Sequence, residues 1–362
     1  MGRSLRSGRE PLTLLVPGDV DRPTGGNVWD RCVRDALVAA GVDVRWRPVR
    51  AGWPVPPDGP DALEHALGEV PDGGAVLVDG LLLCAWPDVA RRHAGRVRLS
   101  VVVHLPLALE SGLDLAEAER LATAEEQVLH AVALSGAVLT TSRWCAVRVR
   151  GGLDGVQPVV AVPGTTRAPT ASPVRDSGFA RLLGVGSLTS RKGHDVLLEA
   201  LGDVGDGWQL RLVGPAPDPA HAAALRTRAA DLARSGVVVE LPGPAEGAAL
   251  EEHYGWADLL VVPSRQETYG MVVGEALVRG LPCLVTAGTG LVEALGTVGG
   301  ATPGLVVPPE DPAALAEALR RWREGPDLRA RLRALARDRG DALARHGWDA
   351  CADVVRRAVL AA

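Results

Sequence analysis

The fold is decided by residues 257–277, which read ADLLVVPSRQETYGMVVGEAL. An apolar strand runs into a loop, and a helix is predicted to open near Met271. Glu267 lies in the loop, and Glu275 lies one to two turns into the helix. The helix N-terminus between them offers free backbone N–H groups and a positive dipole end, which suit a phosphate. Two carboxylates beside such a seat indicate a ligand that carries both hydroxyls and phosphates, and a sugar nucleotide is such a ligand.

A single lysine gives a second signal. The chain has 39 Lys plus Arg residues, and only Lys192 is a lysine. It lies in the run GVGSLTSRKG, residues 184–193, after a glycine-rich strand end. An ammonium is a compact point charge, whereas the guanidinium of arginine is a planar fork, so one retained lysine suggests a site that distinguishes them. The neighbouring glycines and Arg191 favour a functional position over a chance surface position.

Length and composition limit the class of protein. At 362 residues with a net charge of −5, the chain fits a globular protein of two domains and does not fit a basic nucleic-acid binder. No apolar run is long enough to span a bilayer. The first ten residues are basic and polar without a signal-peptide core, so we expect a disordered leader and a cytoplasmic protein. The five cysteines form no C-x-x-C pair and the eight histidines form no metal-binding cluster, so we expect reduced thiols and no metal.

Apolar, β-branched runs recur along both halves of the chain. Because these runs are apolar throughout rather than alternating, they are typical of strands buried on both faces of a parallel α/β sheet. The predicted strands are Leu12–Pro17, Val42–Val49, Gly74–Val78, Val97–Leu105, Ala137–Ser142, Pro158–Pro163, Ala180–Gly186, Trp208–Gly214, Gly236–Leu241, Ala257–Val262, Leu281–Ala287 and Gly304–Val307. Helical spacing predicts helices over Asp30–Ala40 and Leu115–Ser135, after Gly193, from Asp311-Pro312, and in two final stretches around Trp348 and over Val354–Leu360.

These elements predict two α/β domains. A segment rich in Pro, Ser, Thr, Ala and Gly interrupts the pattern from Pro163 to Ser177 and predicts a linker. We expect an N-terminal domain over residues 1–165, a C-terminal domain over 178–340 and a final helical segment over 341–362. Ligands of parallel sheets bind at the carboxyl ends of the strands, so we expect the site in a cleft between the domains.

Taken together, these motifs resemble the retaining glycosyltransferases of family 4, which have the GT-B fold. The resemblance covers nearly the whole chain and rests on the E-x7-E pair Glu267 and Glu275, the R-K-G of Arg191–Gly193, the glycine-rich turn and glutamate of Gly288–Glu293, the glycine loop Gly25–Asn27, and Trp348 before a final helix. It implies two Rossmann-like parallel-sheet domains that face a central cleft. It also implies a final helix that crosses back to the N-terminal domain.

The resemblance implies a role for each residue of the second half. A sugar would pass from a nucleotide-diphosphate sugar to an acceptor with retention of configuration, and no further cofactor would be required. Lys192 and Arg191 would neutralise the leaving diphosphate. Glu275 would accept hydrogen bonds from the ribose, and Glu267 would face the donor sugar without forming a covalent intermediate. Further donor contacts are expected from Gly186, Ser187, Tyr269, Gly270, Met271 and Val272.

Further candidates come from the first half and from one departure. His104 follows a strand end, where relatives often place a histidine near the transferred sugar, so we assign it a catalytic role. Gly25 and Gly26 would let the backbone approach the donor phosphate or the acceptor, and Asn27 is an acceptor-side candidate. Many relatives carry arginine where this chain has Ser187, so one phosphate-binding cation is absent or replaced by Arg191.

Several alternatives stay open at this point. A nicotinamide oxidoreductase would need G-x-G-x-x-G after the first strand, and the chain lacks it there. A sugar-nucleotide epimerase, a phosphorylase and a non-catalytic sugar-nucleotide binder share the expected fold. The basic clusters around Arg91-Arg92-His93 and around Trp46-Arg47 keep a lipid acceptor and peripheral membrane contact open. We favour a soluble small-molecule acceptor, and the sequence leaves the oligomeric state unknown.

Overall fold

The computed structural model describes residues 11–50, 59–151, 155–170 and 180–360. The chain divides into two compact units. The first unit contains the residues up to Arg22, then Gly26–Pro163 and the segment from Trp348 onward. The second unit contains Pro23–Gly25 and Gly164–Gly347. The predicted leader, residues 1–10, and residues 171–177 of the predicted linker lie outside the described residues, so the structure does not test those predictions.

In the described residues, each unit contains a parallel sheet of six strands. The strands of the first unit are β1 (Leu12–Pro17), β2 (Val44–Val49), β3 (Ala75–Asp79), β4 (Arg98–Val103), β5 (Val138–Thr140) and β6 (Val159–Val160). Those of the second are β7 (Ala180–Val185), β8 (Trp208–Val213), β9 (Val237–Gly243), β10 (Leu259–Val262), β11 (Cys283–Thr286) and β12 (Gly304–Val307). Central strands such as β1, β3 and β10 are buried along their whole length, which explains their unbroken apolar runs.

Helices cover both faces of these sheets. They are α1 (Gly25–Ala39), α2 (Asp61–Gly68), α3 (Gly80–Leu83), α4 (Pro87–Ala94), α5 (Leu115–Ala133), α6 (Arg143–Gly151), α7 (His194–Asp203), α8 (Pro219–Ala233), α9 (Gly247–Trp256), α10 (Met271–Val278), α11 (Leu291–Leu295), α12 (Pro312–Glu324), α13 (Pro326–Leu343) and α14 (Trp348–Leu360). Short 3-10 turns cover Leu107–Leu109 and Ser190–Lys192. As predicted, Asp311 caps α12 by accepting from the Ala314 N–H at 2.8 Å. Of the described helices, none combines the length and the apolar character needed to cross a bilayer.

Two helix predictions are wrong. The first helix begins at Gly25 rather than at Asp30, so Gly25, Gly26 and Asn27 form its first turn instead of a loop. The amide of Asn27 explains this start, because it donates to the carbonyls of Asp19 and Arg22 at 2.8 and 3.1 Å and holds the preceding turn against the helix. The last two predicted stretches form one continuous helix, α14, because the residues between them are helical as well.

The strand order sets where each sheet can bind a ligand. In the second unit the order is β12-β11-β10-β7-β8-β9, which places the reversal of strand order between β7 and β10. This is the doubly wound order of dinucleotide-binding sheets, in which ligands bind beyond the carboxyl ends of the two strands at the reversal. In the first unit the order is β2-β1-β3-β4-β5-β6, and the reversal lies between β1 and β3. Together these sheets confirm the predicted α/β class.

The last helix belongs to the core of the first unit. Cys351, Val355 and Val359 on one face of α14 are buried in the same cluster as Trp29 and Leu37 of α1. Successive turns of α14 therefore present an apolar stripe to the first sheet, which is the amphipathic arrangement of a helix that covers a sheet.

Candidate functional site

Two glycines hold together the loops at the strand-order reversal of the second unit. Gly193 follows the 3-10 turn and has a φ of 66°, and a Cβ atom there would lie 2.1 Å from the Pro263 carbonyl oxygen. A Cβ atom at Gly290 would lie 1.8 Å from the Thr268 carbonyl oxygen, and the Gly290 N–H donates to the Glu267 carbonyl at 2.7 Å. Only glycine permits either approach. The R-K-G turn, the loop after β10 and the late glycine-rich turn therefore meet at one edge.

Arg265 fixes the same loops with side-chain hydrogen bonds. Its guanidinium donates two bonds of 2.8 Å to Asp195, one of 2.6 Å to the Ser190 carbonyl and one of 2.9 Å to Glu310. Its backbone N–H donates to the Arg191 carbonyl at 2.8 Å. The hydrogen bonds that Arg265 donates to Asp195 and to Glu310 raise its pKa above the ordinary value. The sequence interpretation missed Arg265, since nothing in its spacing separates it from the other arginines.

Lys192 and Glu267, both predicted site residues, form an ion pair at this edge. The Lys192 ammonium donates a short hydrogen bond to Oε2 of Glu267, and the two side chains are only 17% and 11% exposed. Burial raises the pKa of Glu267, but the charges of Lys192 and Arg191 outweigh it and hold that pKa below its ordinary value. A Cβ atom at Gly186 would lie 3.4 Å from the Lys192 Cε, so the glycine leaves room for the lysine side chain. Glu267 is therefore an ionised carboxylate fixed against a cation.

The N-terminus of α10 lies between the two glutamates, as predicted. The helix begins at Met271, and its N-cap residue, Gly270, has a φ of 84°. A glycine has no side chain, so the N-cap residue itself supplies no side-chain cap. A Cβ atom at Gly270 would lie 2.3 Å from Cδ2 of Leu291, which accounts for the glycine. This terminus can accept an anion next to Lys192, because its first N–H groups carry a partial positive charge.

Glu275 is held by a residue that the sequence interpretation missed. The hydroxyl of Tyr254, which is fully buried on α9, donates to Oε2 of Glu275 at 2.7 Å. The Arg279 guanidinium lies 4.4 Å from the centre of the Tyr254 ring and donates to Glu251 at 2.9 Å. Burial raises the pKa of Glu275 despite the hydrogen bond from Tyr254 and the charge of Arg279. The only hint in the sequence is that Tyr254 is one of two tyrosines in the chain.

Arg191 and Ser187 complete this edge. Arg191 donates to the Gln266 carbonyl at 3.1 Å, so its guanidinium lies beside the loop that carries Glu267. The carbonyl of Ser187 accepts from the Thr189 N–H at 2.9 Å, in the turn that leads from β7. Two cationic side chains, from Arg191 and Lys192, therefore lie at the same edge as Ser187, which supplies none.

His104 lies at the carboxyl end of β4 in the first unit, among residues of α1. Its Nε2 atom is 3.3 Å from Oδ1 of Asp30 and 3.7 Å from Oδ2 of Asp79. Its ring makes an edge-to-face contact with Trp29, with ring centres 5.1 Å apart. A Cβ atom at Gly26 would lie 3.2 Å from Cδ2 of His104, so the imidazole occupies the space that this glycine leaves open. The sequence interpretation named His104 and missed both aspartates.

The three polar groups of this cluster change each other's protonation. Burial raises the pKa of Asp79 to about 7, with a further contribution from the neighbouring charge of Asp30. Burial lowers the pKa of His104, but the charges of Asp79 and Asp30 outweigh it, so the pKa lies above its ordinary value. Gly25 begins the helix that carries Asp30, and its expected contact with a ligand is not tested.

Carboxylates pair with much of the basic surface that the sequence interpretation singled out. Arg92 and His93 both contact Glu64, Arg96 contacts Asp72, and Arg47 contacts Glu69. In the described residues these arginines therefore form local ion pairs rather than a continuous cationic patch. Such exposed pairs contribute little to stability.

Comparisons with known proteins agree with this geometry. Residues 180–324 match the family model described as glycosyl transferases group 1. This match covers most of the second unit. The chain is 34% identical over 239 residues to a D-inositol 3-phosphate glycosyltransferase of Kineococcus radiotolerans, covering 58% of this chain and 53% of the relative. It is 32% identical over 261 residues to the corresponding protein of Xylanimonas cellulosilytica, covering 66% and 59%. The chain thus spans little more than half the length of these relatives.

Solved structures extend the likeness to both units of the chain. The sucrose-phosphate synthase of Thermosynechococcus elongatus matches 98% of this chain and 100% of its own with a TM-score of 0.77 and 24% identity. The Anabaena protein HepE, solved in complex with UDP and glucose, matches 97% and 100% with a TM-score of 0.72 and 15% identity. At these identities the likeness shows the fold, and it confirms the GT-B class.

Proposed function

We propose that this chain is a retaining glycosyltransferase that moves a sugar from a nucleotide-diphosphate sugar to a small-molecule acceptor. The observation that carries the proposal is the ion pair of Lys192 and Glu267 at the strand-order reversal of a dinucleotide-type sheet. Beside it lies the α10 N-terminus, whose N-cap residue is a glycine without a capping side chain. A cation, an anion-binding helix end and an oriented carboxylate meet the needs of a sugar diphosphate.

The cation acts on the leaving group. As the bond between the sugar and the phosphate oxygen breaks, its electron pair passes to the diphosphate, and negative charge grows there. Lys192 and Arg191 stabilise that charge more in the transition state than in the ground state, which lowers the barrier. Glu267 holds the ammonium in place before the donor arrives, so little reorganisation is needed when a phosphate oxygen binds another of its N–H groups.

The sugar keeps its configuration because the acceptor oxygen attacks from the face that the diphosphate leaves. The acceptor hydroxyl gives its proton to a phosphate oxygen of the leaving group, so the step needs no enzyme nucleophile. Glu267 is an unsuitable nucleophile here because its carboxylate is committed to Lys192. It instead accepts hydrogen bonds from donor sugar hydroxyls.

A small hydroxylated acceptor fits better than a lipid surface. The arginines that could have formed a cationic patch are paired with carboxylates. The relatives that match over part of the chain are named for an inositol phosphate, which is a small polyol. We therefore include small polyols and sugar phosphates among the acceptors to be tested first.

Sugar transfer is tested with a panel of nucleotide sugars and small polyol or sugar-phosphate acceptors. The proposal predicts nucleoside diphosphate release that depends on acceptor, with a product of retained configuration by NMR. A conversion of the donor without acceptor indicates an epimerase or hydrolase instead. No reaction of a donor that binds tightly indicates a non-catalytic binder.

A further inference from the structure

The cluster of Asp30, Asp79 and His104 is an unexplained polar site in the first unit. Both aspartates are only 5% exposed, whereas the His104 side chain is 16% exposed. Asp79 uses Oδ1 to accept from the Leu81 N–H at 2.7 Å at the start of α3. Its other oxygen faces His104, as does Oδ1 of Asp30. Oδ2 of Asp30 is buried without a hydrogen-bond partner among the described residues.

The charges in this cluster do not balance if both acids are ionised. Two carboxylates and one imidazolium leave one negative charge in a buried place, which is costly. Ligand atoms of the three side chains lie within 4.8 Å of one another, so the carboxyl groups of Asp30 and Asp79 are close neighbours. One proton between the two acids makes the cluster neutral and gives a bonding role to the unpaired carboxyl oxygen.

Among the residues that the structure describes, no other charged group takes the place of Asp30 or Asp79 beside His104. On α1, Arg31 donates to the Val20 carbonyl, and Asp35 forms an exposed pair with Arg34. Beyond Asp79, the next titratable groups are the Cys84 thiol directly after α3 and the buried Glu125 on α5. Among the described residues, the charges that act on His104 are those of Asp79 and Asp30.

We propose that Asp30 and Asp79 are positioning residues that share one proton and keep His104 as a fixed, charged hydrogen-bond donor for a hydroxyl or phosphate oxygen of the substrate. Gly26 and Trp29 pack against the His104 ring, and the two carboxyl groups face its Nε2 atom. The effect on turnover rests on the proposed function, whereas the protonation of the cluster does not. The acids act as one unit with a single negative charge.

This sharing makes an unusual prediction for substitutions. If Asp30→Asn or Asp79→Asn removes one acid, the remaining acid ionises, and His104 still faces one negative charge. Each single variant therefore keeps the titration midpoint of His104 above its ordinary value. The double variant loses the negative charge and lowers the midpoint by about 1–3 pH units. If the two acids were ionised independently, each single variant would instead lower the His104 midpoint, and the double variant would lower it by the sum of the two effects.

The experiment follows the imidazole signals of ¹⁵N-histidine-labelled full-length protein by NMR against pH, with His104→Gln to assign the signal. The exposed Asp35→Asn on the same helix is the control and leaves the midpoint unchanged. Equal drops in both single variants, or a wild-type midpoint at or below that of a free histidine, overturn the proposal. Binding of one divalent cation per chain that is lost in Asp30→Asn also overturns the proposal. A metal ion held by these three side chains would displace the proton shared by the acids and the proton that charges His104.

Carboxyl signals provide the same test without a substitution. In protein labelled at the aspartate carboxyl carbons, one acid of the pair titrates well above the other aspartates in wild type. If the double variant does not fold, this measurement decides: titration of every aspartate below about pH 5 overturns the proposal. Where sugar transfer is measurable, its rate falls as rising pH removes the proton from His104. This fall occurs at a lower pH in the double variant than in either single variant. Absence of any transfer contradicts the proposed function and leaves the NMR result unaffected.

Discussion

The hydroxyl of Tyr254 donates a 2.7 Å hydrogen bond to Oε2 of Glu275. It joins α9 to the first turns of α10, and Tyr254 is itself fixed under the Arg279 guanidinium. One oxygen of a buried carboxylate is thereby given a permanent partner, which orients the other. In the proposed site that second oxygen is the acceptor for the ribose hydroxyls.

Tyr254→Phe tests this orientation. We expect nucleotide affinity to fall about 10-fold, because a hydrogen bond to a charged group contributes about 1.5–3 kcal/mol and part of it is recovered by water. Isothermal titration with the ribonucleotide and its 2′,3′-dideoxy analogue measures the effect. The dideoxy analogue, which cannot use Glu275, should bind wild type and variant equally. Equal loss for both ligands would show a general packing role for Tyr254.

Lys192 is expected to act mainly on the rate of transfer. Lys192→Met removes the cation and should lower kcat by about 10²–10³-fold, the range seen when one preorganised donor to a developing anion is lost. Lys192→Arg keeps the positive charge but spreads it over a planar guanidinium, so we expect a decrease in kcat smaller than that of Lys192→Met. Circular dichroism checks that both variants fold. A Lys192→Met enzyme with wild-type kcat would remove the diphosphate assignment.

Two glycines with similar backbone angles provide a matched pair. Gly193 has a φ of 66° and no room for a Cβ atom against Pro263, whereas Gly247 has a φ of 53° and open space around it. Gly247→Ala should destabilise by about 1–2 kcal/mol, the penalty for a left-handed alanine. Gly193→Ala should destabilise more and abolish nucleotide binding, because the R-K-G turn must move away from β10. Melting curves with and without nucleotide compare the two, and equal effects would contradict the close-approach argument.

His194 gives a pH dependence of stability. Burial, with the charge of Lys192, lowers the pKa of His194 to about 3, while the unfolded chain takes up its proton near pH 6.5. The unfolded state therefore binds more protons between these values. The free energy of unfolding should fall by up to about 1.4 kcal/mol per pH unit as pH decreases from 6.5 towards 3. Urea unfolding should show a smaller slope in His194→Gln and an unchanged slope in the exposed His346→Gln. Equal slopes in all three proteins would mean that His194 is charged in the fold.

Much of the fold follows from local patterns in the sequence. Buried parallel strands are apolar on both faces, so β1, β3 and β10 are visible as unbroken runs. Likewise, Gly270 and Met271 mark the start of α10, because a left-handed N-cap favours glycine. The start of α1 was missed because it depends on the Asn27 amide, which bonds to backbone groups of a preceding turn rather than capping in the usual way.

The site was predictable only in part, for a physical reason. Lys192, Glu267 and Glu275 stand out through spacing and rarity, and the structure brings Lys192 and Glu267 together. Tyr254, Arg265 and Asp79 act by contacting residues far away in sequence. No local periodicity signals such contacts, since they arise only when strands at a sheet reversal bring their loops together.

The central claim is that the edge of the second sheet at the reversal between β7 and β10 binds a nucleotide diphosphate through Lys192. Thermal stabilisation by UDP, GDP, ADP and TDP, and by their sugars, tests it most directly in wild type and Lys192→Met. We predict that one nucleotide, at 100 times its Kd, stabilises wild type by about 2.7 kcal/mol and the variant far less at the same concentration. No stabilisation by any of these ligands, or equal stabilisation of both proteins, would contradict the account.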